Sequence, residues 1–384
     1  MRFEFATAVR ILFGPGVITE AGEVVRGFGQ RALLVTGGDT HRSAALRDIL
    51  SGAGVNHESF PVTGEPKIAT VQDGVIQARS CQATVVVACG GGSALDAGKA
   101  IAAMLNNPGD LLDYLEVIGG ARTLPNPSAP FIAIPTTAGT GSEVTRNAVL
   151  ASPEREVKVS LRSPGMLARA ALVDPELTFG LPPSVTATTG LDALTQVIEP
   201  YVSARHNPLI DAICREGITR AARSLRIACE QPANAQSRQD MCLTSLFGGL
   251  ALANAGLGVI HGFAGPIGGS FPAPHGAVCA ALLPHGMAIN IAALRKRQPD
   301  SEALRRYDEV ARLLTGNPHA TAAEGVQWLT RLLADLAIPT LGHYGITPQH
   351  IPSLVEKAAQ ASSMKANPLL LTKDELTDVL TRAL

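Results

Sequence analysis

The sequence predicts two domains of different class, an N-terminal α/β domain built on a parallel sheet and a C-terminal all-helical domain. Its 384 residues exceed the roughly 250 to 300 at which a single core usually stops growing. The first half alternates short apolar runs with helical stretches, whereas the second half contains mainly long helical patterns. We therefore place one domain at residues 1–181 and the other at residues 182–384.

Three apolar runs of strand length lie in the first half, at residues 31–36, 83–89 and 131–134. Each run is followed by a turn rich in glycine or threonine. Between the first two runs, residues 43–54 carry apolar side chains at helical spacing. A strand, a helix and a second strand in this order predict a βαβ unit, which is the building block of a parallel sheet.

The second half begins after Leu181, Pro182 and Pro183, where the pattern changes. Apolar residues then recur every three or four positions in residues 184–202, 207–229, 236–256 and 301–314. Runs of β-branched residues are few, so we expect this half to be helical.

Composition and charge exclude several classes of protein. With 46% hydrophobic and 17% charged residues, the chain has the composition of a compact enzyme. A formal net charge of -1 gives no general attraction to nucleic acid. The N-terminus has no apolar leader, and no apolar run approaches the ~20 residues of a membrane helix. Six cysteines without CxxC spacing read as small apolar side chains, so we expect a reduced, cytoplasmic protein.

A glycine turn follows the apolar run at residues 83–89 and precedes a helical pattern at residues 94–104. The turn reads Gly-Gly-Gly-Ser and ends at Ser93. Such a turn brings open backbone N–H groups and the positive end of a helix to one point, which suits a phosphate. The alternative is a plain turn in which Ser93 caps the helix.

A second turn, rich in hydroxyls and glycines, follows the apolar run at residues 131–134. It contains Thr136, Thr137 and Thr140, whose side chains can donate to phosphate or ribose oxygens. Two such turns at the carboxyl ends of parallel strands lie where doubly wound sheets bind ligands. The alternative is a turn that satisfies only its own backbone.

A third set of polar residues lies in the helical half. Asp192 and Gln196 are four residues apart in a predicted helix, and His261 and His275 lie in glycine-rich surroundings. A carboxylate with two imidazoles can bind Zn²⁺ or Fe²⁺. Each histidine taken alone fits an ordinary hydrogen-bonded core or surface residue better than a metal ligand.

Taken together and in order, the motifs resemble those of the iron-containing (group III) alcohol dehydrogenase family over nearly the whole chain. The matching stretches are residues 13–16, 90–99, 135–145, 173–177, 189–194 and 275–276. The resemblance implies a dinucleotide-binding domain, a helical metal domain and hydride transfer to a small carbonyl compound in a cleft between them. It also implies a homo-oligomer.

The resemblance assigns a role to each matching position. It implies cofactor contacts at Gly91, Gly92, Ser93, Asp96, Thr136, Thr137, Thr140, Thr145 and Lys158. It implies metal ligands at Asp192, Gln196, His261 and His275, with His275 and Lys158 as catalytic residues.

Two positions depart from the family pattern. Gln196 stands where the fourth ligand is normally histidine, and Gly265 stands where many members have a second histidine. Because a Gln carbonyl is usually a weaker ligand than imidazole, a metal-independent carbonyl reductase is an alternative. A lyase or cyclase of the dehydroquinate synthase type, or a member without catalytic activity, are further alternatives on the same scaffold.

The choice between NAD and NADP stays open. Gly37 follows the first apolar run, at a position where NAD-selective relatives often carry an acid. Asp39 could bind the ribose, whereas Arg42 could accommodate a 2′-phosphate. A solvated loop that selects neither cofactor is equally consistent with these residues.

Overall fold

The computed structural model describes residues 2–384, apart from the side chain of Thr40. The described chain divides into two compact units. The α/β unit comprises Ala6–Thr137 and Gly141–Phe179. The helical unit comprises Gly180–Leu384 together with residues 2–5 and the short segment Ala138–Thr140.

A six-stranded, all-parallel sheet forms the centre of the described part of the α/β unit. Its strands lie in the order β1-β8-β5-β4-β2-β3. Their bounds are β1 Ile11–Phe13, β2 Arg31–Gly37, β3 Asn56–Val62, β4 Val85–Gly90, β5 Phe131–Pro135 and β8 Ala170–Val173. An antiparallel hairpin of β6 Asn147–Ser152 and β7 Val157–Arg162 lies apart from this sheet.

Four helices complete the described α/β unit: α1 Ala21–Arg26, α2 Ala44–Gly52, α3 Ile68–Ser80 and α4 Gly92–Leu105. All six residues of β4 and all five of β5 are buried. Continuous burial of this kind is typical of parallel strands covered on both faces, which explains their unbroken apolar sequences. The three predicted strands and the intervening helix are confirmed. The predicted βαβ unit is wrong in its second strand, because β3 and α3 also lie between β2 and β4 along the chain, and the unit that begins at β2 ends at β3.

The order of the strands reverses between β2 and β4. After β2 the chain goes outward to β3, then crosses back to β4 on the other side of β2. Thr36 pairs in register with Cys89, and Gly90 pairs with Pro135, so these three strands end at one edge of the sheet. Doubly wound sheets bind ligands at such a reversal.

The helical unit consists of nine α-helices within its described residues. They are α5 Pro183–Val202, α6 Pro208–Glu230, α7 Ala235–Ala255, α8 Val259–Ser270, α9 His275–Arg297, α10 Glu302–Thr315, α11 Ala322–Asp335, α12 Ile351–Ala359 and α13 Lys373–Ala383. Helix α5 is buried along most of its length, and α6, α7 and α9 pack around it. The helical class predicted for this half is confirmed.

One helix among the described residues, α9, is long and apolar enough to span a membrane. Its most apolar stretch of 18 residues has a mean hydropathy of 1.7, but 83% of that stretch is buried inside the protein. Helices α7 and α8 together also pass the test of length and composition, with a bend of 99° between them. Since α9 packs against α5, α8, α11 and α13, its apolar sequence is accounted for by the interior of the helical unit.

Candidate active site

Loops from three neighbouring strands approach one another at the carboxyl edge of the sheet. A Cβ atom added to Gly90 would lie 3.1 Å from the backbone nitrogen of Gly37, at the end of β2. A Cβ atom added to Gly91 would lie 3.4 Å from the Thr137 side chain, in the loop after β5. The predicted glycine and threonine turns are therefore adjacent, and glycine at 90 permits the close approach.

The start of α4 has the open backbone that a phosphate site requires. Gly91 is the N-cap residue, and no described side chain caps it. Ser93 lies inside the first turn of the helix, so the alternative in which Ser93 is the cap is wrong. The first N–H groups of a helix have no partner within the helix, and they meet an anion together with the positive end of the helix dipole.

Lys99 fixes the threonine-rich loop from beneath. Its side chain is fully buried, and Nζ donates to the carbonyl oxygen of Ser142 at 2.7 Å and to its hydroxyl at 2.9 Å. It also donates to Thr145 Oγ1 at 2.9 Å and to the carbonyl oxygen of Asn147 at 2.8 Å. The hydroxyl of Thr145, predicted to contact the cofactor, therefore serves this buried cluster.

Asp96 belongs to the same cluster. Ser142 Oγ donates to its Oδ1 at 2.5 Å, and the backbone N–H of Val149 donates to its Oδ2 at 3.0 Å. Burial raises the pKa of Asp96, although Lys99 and these two donors act in the opposite direction. Both carboxylate oxygens of Asp96 are bonded within the α/β unit.

Lys158 lies on β7, in the antiparallel hairpin. Only 4% of its side chain is exposed, and Nζ lies 3.0 Å from Glu65 Oε1. Among the other predicted cofactor residues, Thr136 is buried, while Gly92 and Thr137 are half-buried. Thr140 belongs to the helical unit, so the threonine turn is divided between the two units.

A buried cluster in the helical unit brings together three of the predicted metal ligands. Asp192 comes from the middle of α5, His261 from the first turn of α8, and His275 from the first residue of α9. Asp192 Oδ1 lies 3.3 Å from His261 Nε2 and 3.7 Å from His275 Nε2. Cys279 joins them, with Sγ 3.7 Å from each of these imidazole nitrogens.

The spacing of these donor atoms fits a divalent metal ion. Bonds of about 2.0–2.3 Å at tetrahedral angles separate neighbouring ligand atoms by roughly 3.3–3.7 Å, and the four contacts given above fall in this range. Asp192 is 1% exposed, and its Oδ1 accepts no hydrogen bond from the described residues. The two imidazoles contact this oxygen at ion-pair distance, but a buried carboxylate oxygen without a hydrogen bond is costly unless an ion or ligand occupies the site.

Glu199 orients His261 from behind. Its Oε2 lies 2.6 Å from His261 Nδ1, and its Oε1 accepts from the N–H of Ile260 at 2.7 Å. This leaves His261 Nε2 as the nitrogen that faces the cluster. A carboxylate on the far nitrogen is the usual support of a metal-binding histidine, because it fixes the tautomer and the ring orientation.

Two glycines allow the helices to meet closely around the cluster. A Cβ atom at Gly258, the N-cap of α8, would lie 2.8 Å from Glu199 Oε1. A Cβ atom at Gly276, next to His275, would lie 2.6 Å from the carbonyl oxygen of Thr188 on α5. A larger residue at 258 would collide with the Glu199 side chain, and one at 276 would collide with the backbone of α5.

Opposing electrostatic effects act on the ionisable groups of the cluster. Burial acts to raise the pKa of Asp192, but His275 and His261 reverse this and hold it below its ordinary value. Burial acts to lower the pKa of His261, but Cys279, Asp192 and Glu199 raise it well above its ordinary value. The pKa of His275 is likewise raised. Protons and a metal ion therefore compete for the same imidazole nitrogens.

The two positions that depart from the family pattern have distinct surroundings. Gln196 is buried on α5, and its amide Nε2 donates to the carbonyl oxygen of Gly139 at 3.3 Å. Its Oε1 is buried without a hydrogen-bond partner in the described chain. At Gly265, one turn after His261, an added Cβ atom would meet no described heavy atom within 4 Å.

Sequence reasoning missed two members of this cluster, Cys279 and Glu199. Each has a signal in helical spacing, because Cys279 lies four residues after His275 and Glu199 lies seven after Asp192. The prediction that Cys279 behaves as a small apolar side chain accounts for its burial, but not for its contacts with two imidazoles.

Comparison with known proteins identifies the family. The model of the iron-containing alcohol dehydrogenases matches residues 8–175, and the model of the C-terminal region of Fe-containing alcohol dehydrogenases matches residues 186–384. The chain is 36% identical to a 1,3-propanediol dehydrogenase of Klebsiella pneumoniae, covering 97% of this chain and 96% of the relative.

Two solved structures have the same fold. A 1,3-propanediol oxidoreductase superposes with a TM-score of 0.92 at 34% identity, with all of both chains covered. A sulfoacetaldehyde reductase from Bifidobacterium kashiwanohense, solved in complex with NAD⁺, superposes with a TM-score of 0.87 at 28% identity, covering 100% of this chain and 99% of that one.

The parallel-sheet unit with its glycine turn and the helical unit with its metal-type cluster define an oxidoreductase of the alcohol dehydrogenase class. The chain belongs to the iron-containing alcohol dehydrogenase family. The resemblance inferred from the motifs is thereby confirmed over both halves of the chain.

Proposed function

We propose that this enzyme interconverts a short-chain alcohol and its aldehyde by hydride transfer with a nicotinamide dinucleotide, assisted by a divalent metal ion. In this proposal residues 1–181 bind the dinucleotide and residues 182–384 hold the metal and the substrate. The observation that carries it is the convergence of Asp192, His261 and His275 around a buried carboxylate oxygen that accepts no hydrogen bond in the described chain. The match of family models to both halves favours this reaction over that of a lyase.

The sheet edge supports the assignment of the dinucleotide. The open start of α4 at Gly91, Gly92 and Ser93 offers backbone donors to a pyrophosphate. Thr137 lies beside it and can donate a hydroxyl to the same ligand. Lys99 acts on this site indirectly, by holding the loop that carries the threonines.

Lys158 is proposed to donate to the ribose next to the nicotinamide. Its ammonium is the end of a flexible stem, and Glu65 holds it at 3.0 Å. A ribose hydroxyl can therefore accept from an ammonium whose position is already restricted.

A bound divalent ion supplies Lewis acidity, which polarises a carbonyl for the arrival of hydride. The protein residues hold the donors for that ion in place. Asp192 and His261 are almost fully buried, whereas 31% of the His275 side chain is exposed. His275 therefore lies on the accessible side of the cluster. A substrate oxygen could approach the cluster from this side, and a proton could be transferred there.

Two of the relatives, which are named for small, polar carbonyl compounds or alcohols, support a proposal for the substrate class. Their names specify 1,3-propanediol and sulfoacetaldehyde, which are short chains with a polar group at the far end. We propose an aldehyde of this kind for the present enzyme. The same assay tests whether the loop at Gly37 and Asp39 selects NADH or NADPH. One carboxylate oxygen of Asp39 already accepts from the N–H of His41 at 3.0 Å.

The test is the loss of NADH and NADPH absorbance with 3-hydroxypropanal, sulfoacetaldehyde and propanal. Chelated, Fe²⁺-loaded and Zn²⁺-loaded preparations are assayed in parallel, and size-exclusion chromatography of each preparation tests for a homo-oligomer. We expect turnover only in a metal-loaded preparation. Equal turnover in the chelated enzyme would instead support the metal-independent reductase.

The matched variant is Asp192→Asn, which removes a charged ligand and keeps the size of the side chain. Mutation of a residue that only supports a metal ligand lowers metal affinity by about 10- to 100-fold. Because Asp192 is itself proposed as a ligand, we expect metal affinity to fall by at least this factor. Asp378→Asn, at an exposed position on α13, is the control and should leave metal binding unchanged. Unchanged metal binding in Asp192→Asn would contradict the assignment of the site.

A further inference from the structure

We propose that Cys279 is a metal ligand, so that the ion is held by one carboxylate, two imidazoles and one thiolate. This inference rests on the proposed metal-assisted function and names the residue that takes the place of the missing fourth histidine. It differs from the assignment of that place to Gln196, which the family pattern alone suggests.

The position of the sulfur carries the inference. Cys279 Sγ lies 3.7 Å from both His261 Nε2 and His275 Nε2, and the four donor atoms lie within 4.8 Å of one another. A Zn–S bond of about 2.3 Å and a Zn–N bond of about 2.0 Å at a tetrahedral angle give a separation of roughly 3.5 Å between sulfur and nitrogen. The spacing of the sulfur from the two imidazole nitrogens therefore suits coordination.

Helix geometry fixes the sulfur next to His275. The two residues are four positions apart on α9, so their side chains share one face of the helix. Cys279 is fully buried, and its helix begins where Gly276 packs against the backbone of Thr188. The chain thus presents the sulfur to the cluster without a change of backbone.

The alternative ligand, Gln196, is held differently. Its amide nitrogen donates to the carbonyl oxygen of Gly139, which anchors one side of the amide group. Its carbonyl oxygen is a neutral ligand, whereas a thiolate carries a charge and binds a borderline or soft metal ion more strongly. Of the two residues, Cys279 is therefore the better donor.

The choice of metal follows from the sulfur. Thiolate ligands favour zinc over the harder ferrous ion in a mixed site of carboxylate and imidazole. We therefore expect this member of an iron-named family to retain Zn²⁺, or Co²⁺ as its substitute, more tightly than Fe²⁺. With four protein donors, a substrate oxygen would have to add to the ion as a further ligand, which zinc would be able to accept.

The test is cobalt substitution of the full-length, chelated enzyme. Co²⁺ bound to a thiolate gives a near-ultraviolet sulfur-to-cobalt charge-transfer band, which oxygen and nitrogen ligands do not give. We expect one equivalent of Co²⁺ to produce this band in the wild type and in Gln196→Ala. Cys279→Ser should lose the band and bind Co²⁺ at least 10-fold more weakly, by the scale of lost metal partners.

Controls separate this inference from the proposed function. Cys81→Ser, which removes the half-buried cysteine of the α/β unit, should keep the band and so exclude adventitious binding there. Stoichiometric Co²⁺ binding without the band in the wild type would overturn the role of Cys279 while leaving the proposed reaction intact. Failure of the wild type to bind Co²⁺ would overturn both this inference and the metal-dependent part of the proposed function. Since the wild-type spectrum decides the question, poor folding of Cys279→Ser would not prevent the test.

Discussion

The two units each contain a buried polar cluster, and the clusters differ in how completely their atoms are satisfied. Around Lys99, the ammonium has four hydrogen-bond acceptors, and both oxygens of Asp96 have donors. Around Asp192, one carboxylate oxygen and the nearby Gln196 carbonyl accept no hydrogen bond in the described chain, and the carboxylate oxygen has ion-pair contacts with two imidazoles. The first cluster supports a loop by itself, whereas the second requires a ligand.

Loss of Lys99 is expected to have the largest effect on stability. Lys99→Met fills a similar volume but removes the ammonium that donates to two hydroxyls and two carbonyl oxygens, of which the Ser142 carbonyl keeps a donor from Thr145. Breaking a buried charge network of this kind costs about 3–5 kcal/mol of unfolding free energy. Urea denaturation near neutral pH measures the change.

The control for this variant is Lys296→Met, which replaces an exposed lysine on α9. It should change the unfolding free energy by less than about 0.5 kcal/mol. If Lys99→Met were no more destabilising than Lys296→Met, the cluster around Lys99 would not support the fold.

Glu143, which neighbours this cluster, gives a pH-dependent prediction. Burial raises its pKa to about 7, although its own backbone N–H and Lys99 act to lower it. Between the ordinary glutamate pKa and about pH 7, the folded protein holds a proton that the unfolded chain has released. Stability therefore decreases as the pH rises through this window, by about 3 kcal/mol in total.

Glu143→Gln removes this proton and should flatten that part of the stability profile. Relative to the wild type, the variant should gain about 3 kcal/mol between about pH 4.5 and about pH 8. Denaturation of both proteins across this range provides the measurement. A constant difference between them would show that Glu143 is ionised in the folded state throughout.

Glu199→Gln has the smallest expected effect of the three and tests the open cluster. The amide can still accept from the N–H of Ile260, but it loses the charge that holds His261. We expect Zn²⁺ affinity to fall by about 10- to 100-fold, measured by competition with a chelator.

Glu356→Gln, on the exposed face of α12, is the control and should leave affinity unchanged. The same affinity in both variants would mean that His261 is positioned by packing alone.

Some elements of the fold could be predicted from their sequence pattern, whereas others of similar length, such as β3 and α9, could not. The run at 31–36 became β2, Arg31–Gly37, and the pattern at 207–229 became α6, Pro208–Glu230. Strands β1 and β8 could not be predicted, because three or four residues are too few to show a period. The strand order also lies beyond the sequence, since it depends on contacts between distant segments.

The candidate site shows the same limit at the level of single residues. Asp192, His261 and His275 could be selected because carboxylates and histidines near glycines suggest coordination. Cys279 could not be separated from the five other cysteines, all in largely apolar sequence, until the structure placed its sulfur beside two imidazoles. A sequence shows the chemical type of each side chain. The neighbours that determine the role of that side chain are brought together only by folding.

Residues Ala138–Thr140 belong to the helical unit although the chain on either side of them belongs to the α/β unit. During synthesis, residues 138–140 leave the ribosome before the helices of the unit to which they belong. A gene cut between Phe179 and Gly180 would therefore encode a C-terminal fragment without the Gly139 carbonyl that Gln196 uses. The two halves are consequently poor candidates for exchange between related enzymes. In a fusion joined between Phe179 and Gly180, the C-terminal half would come from one enzyme and residues Ala138–Thr140 from the other.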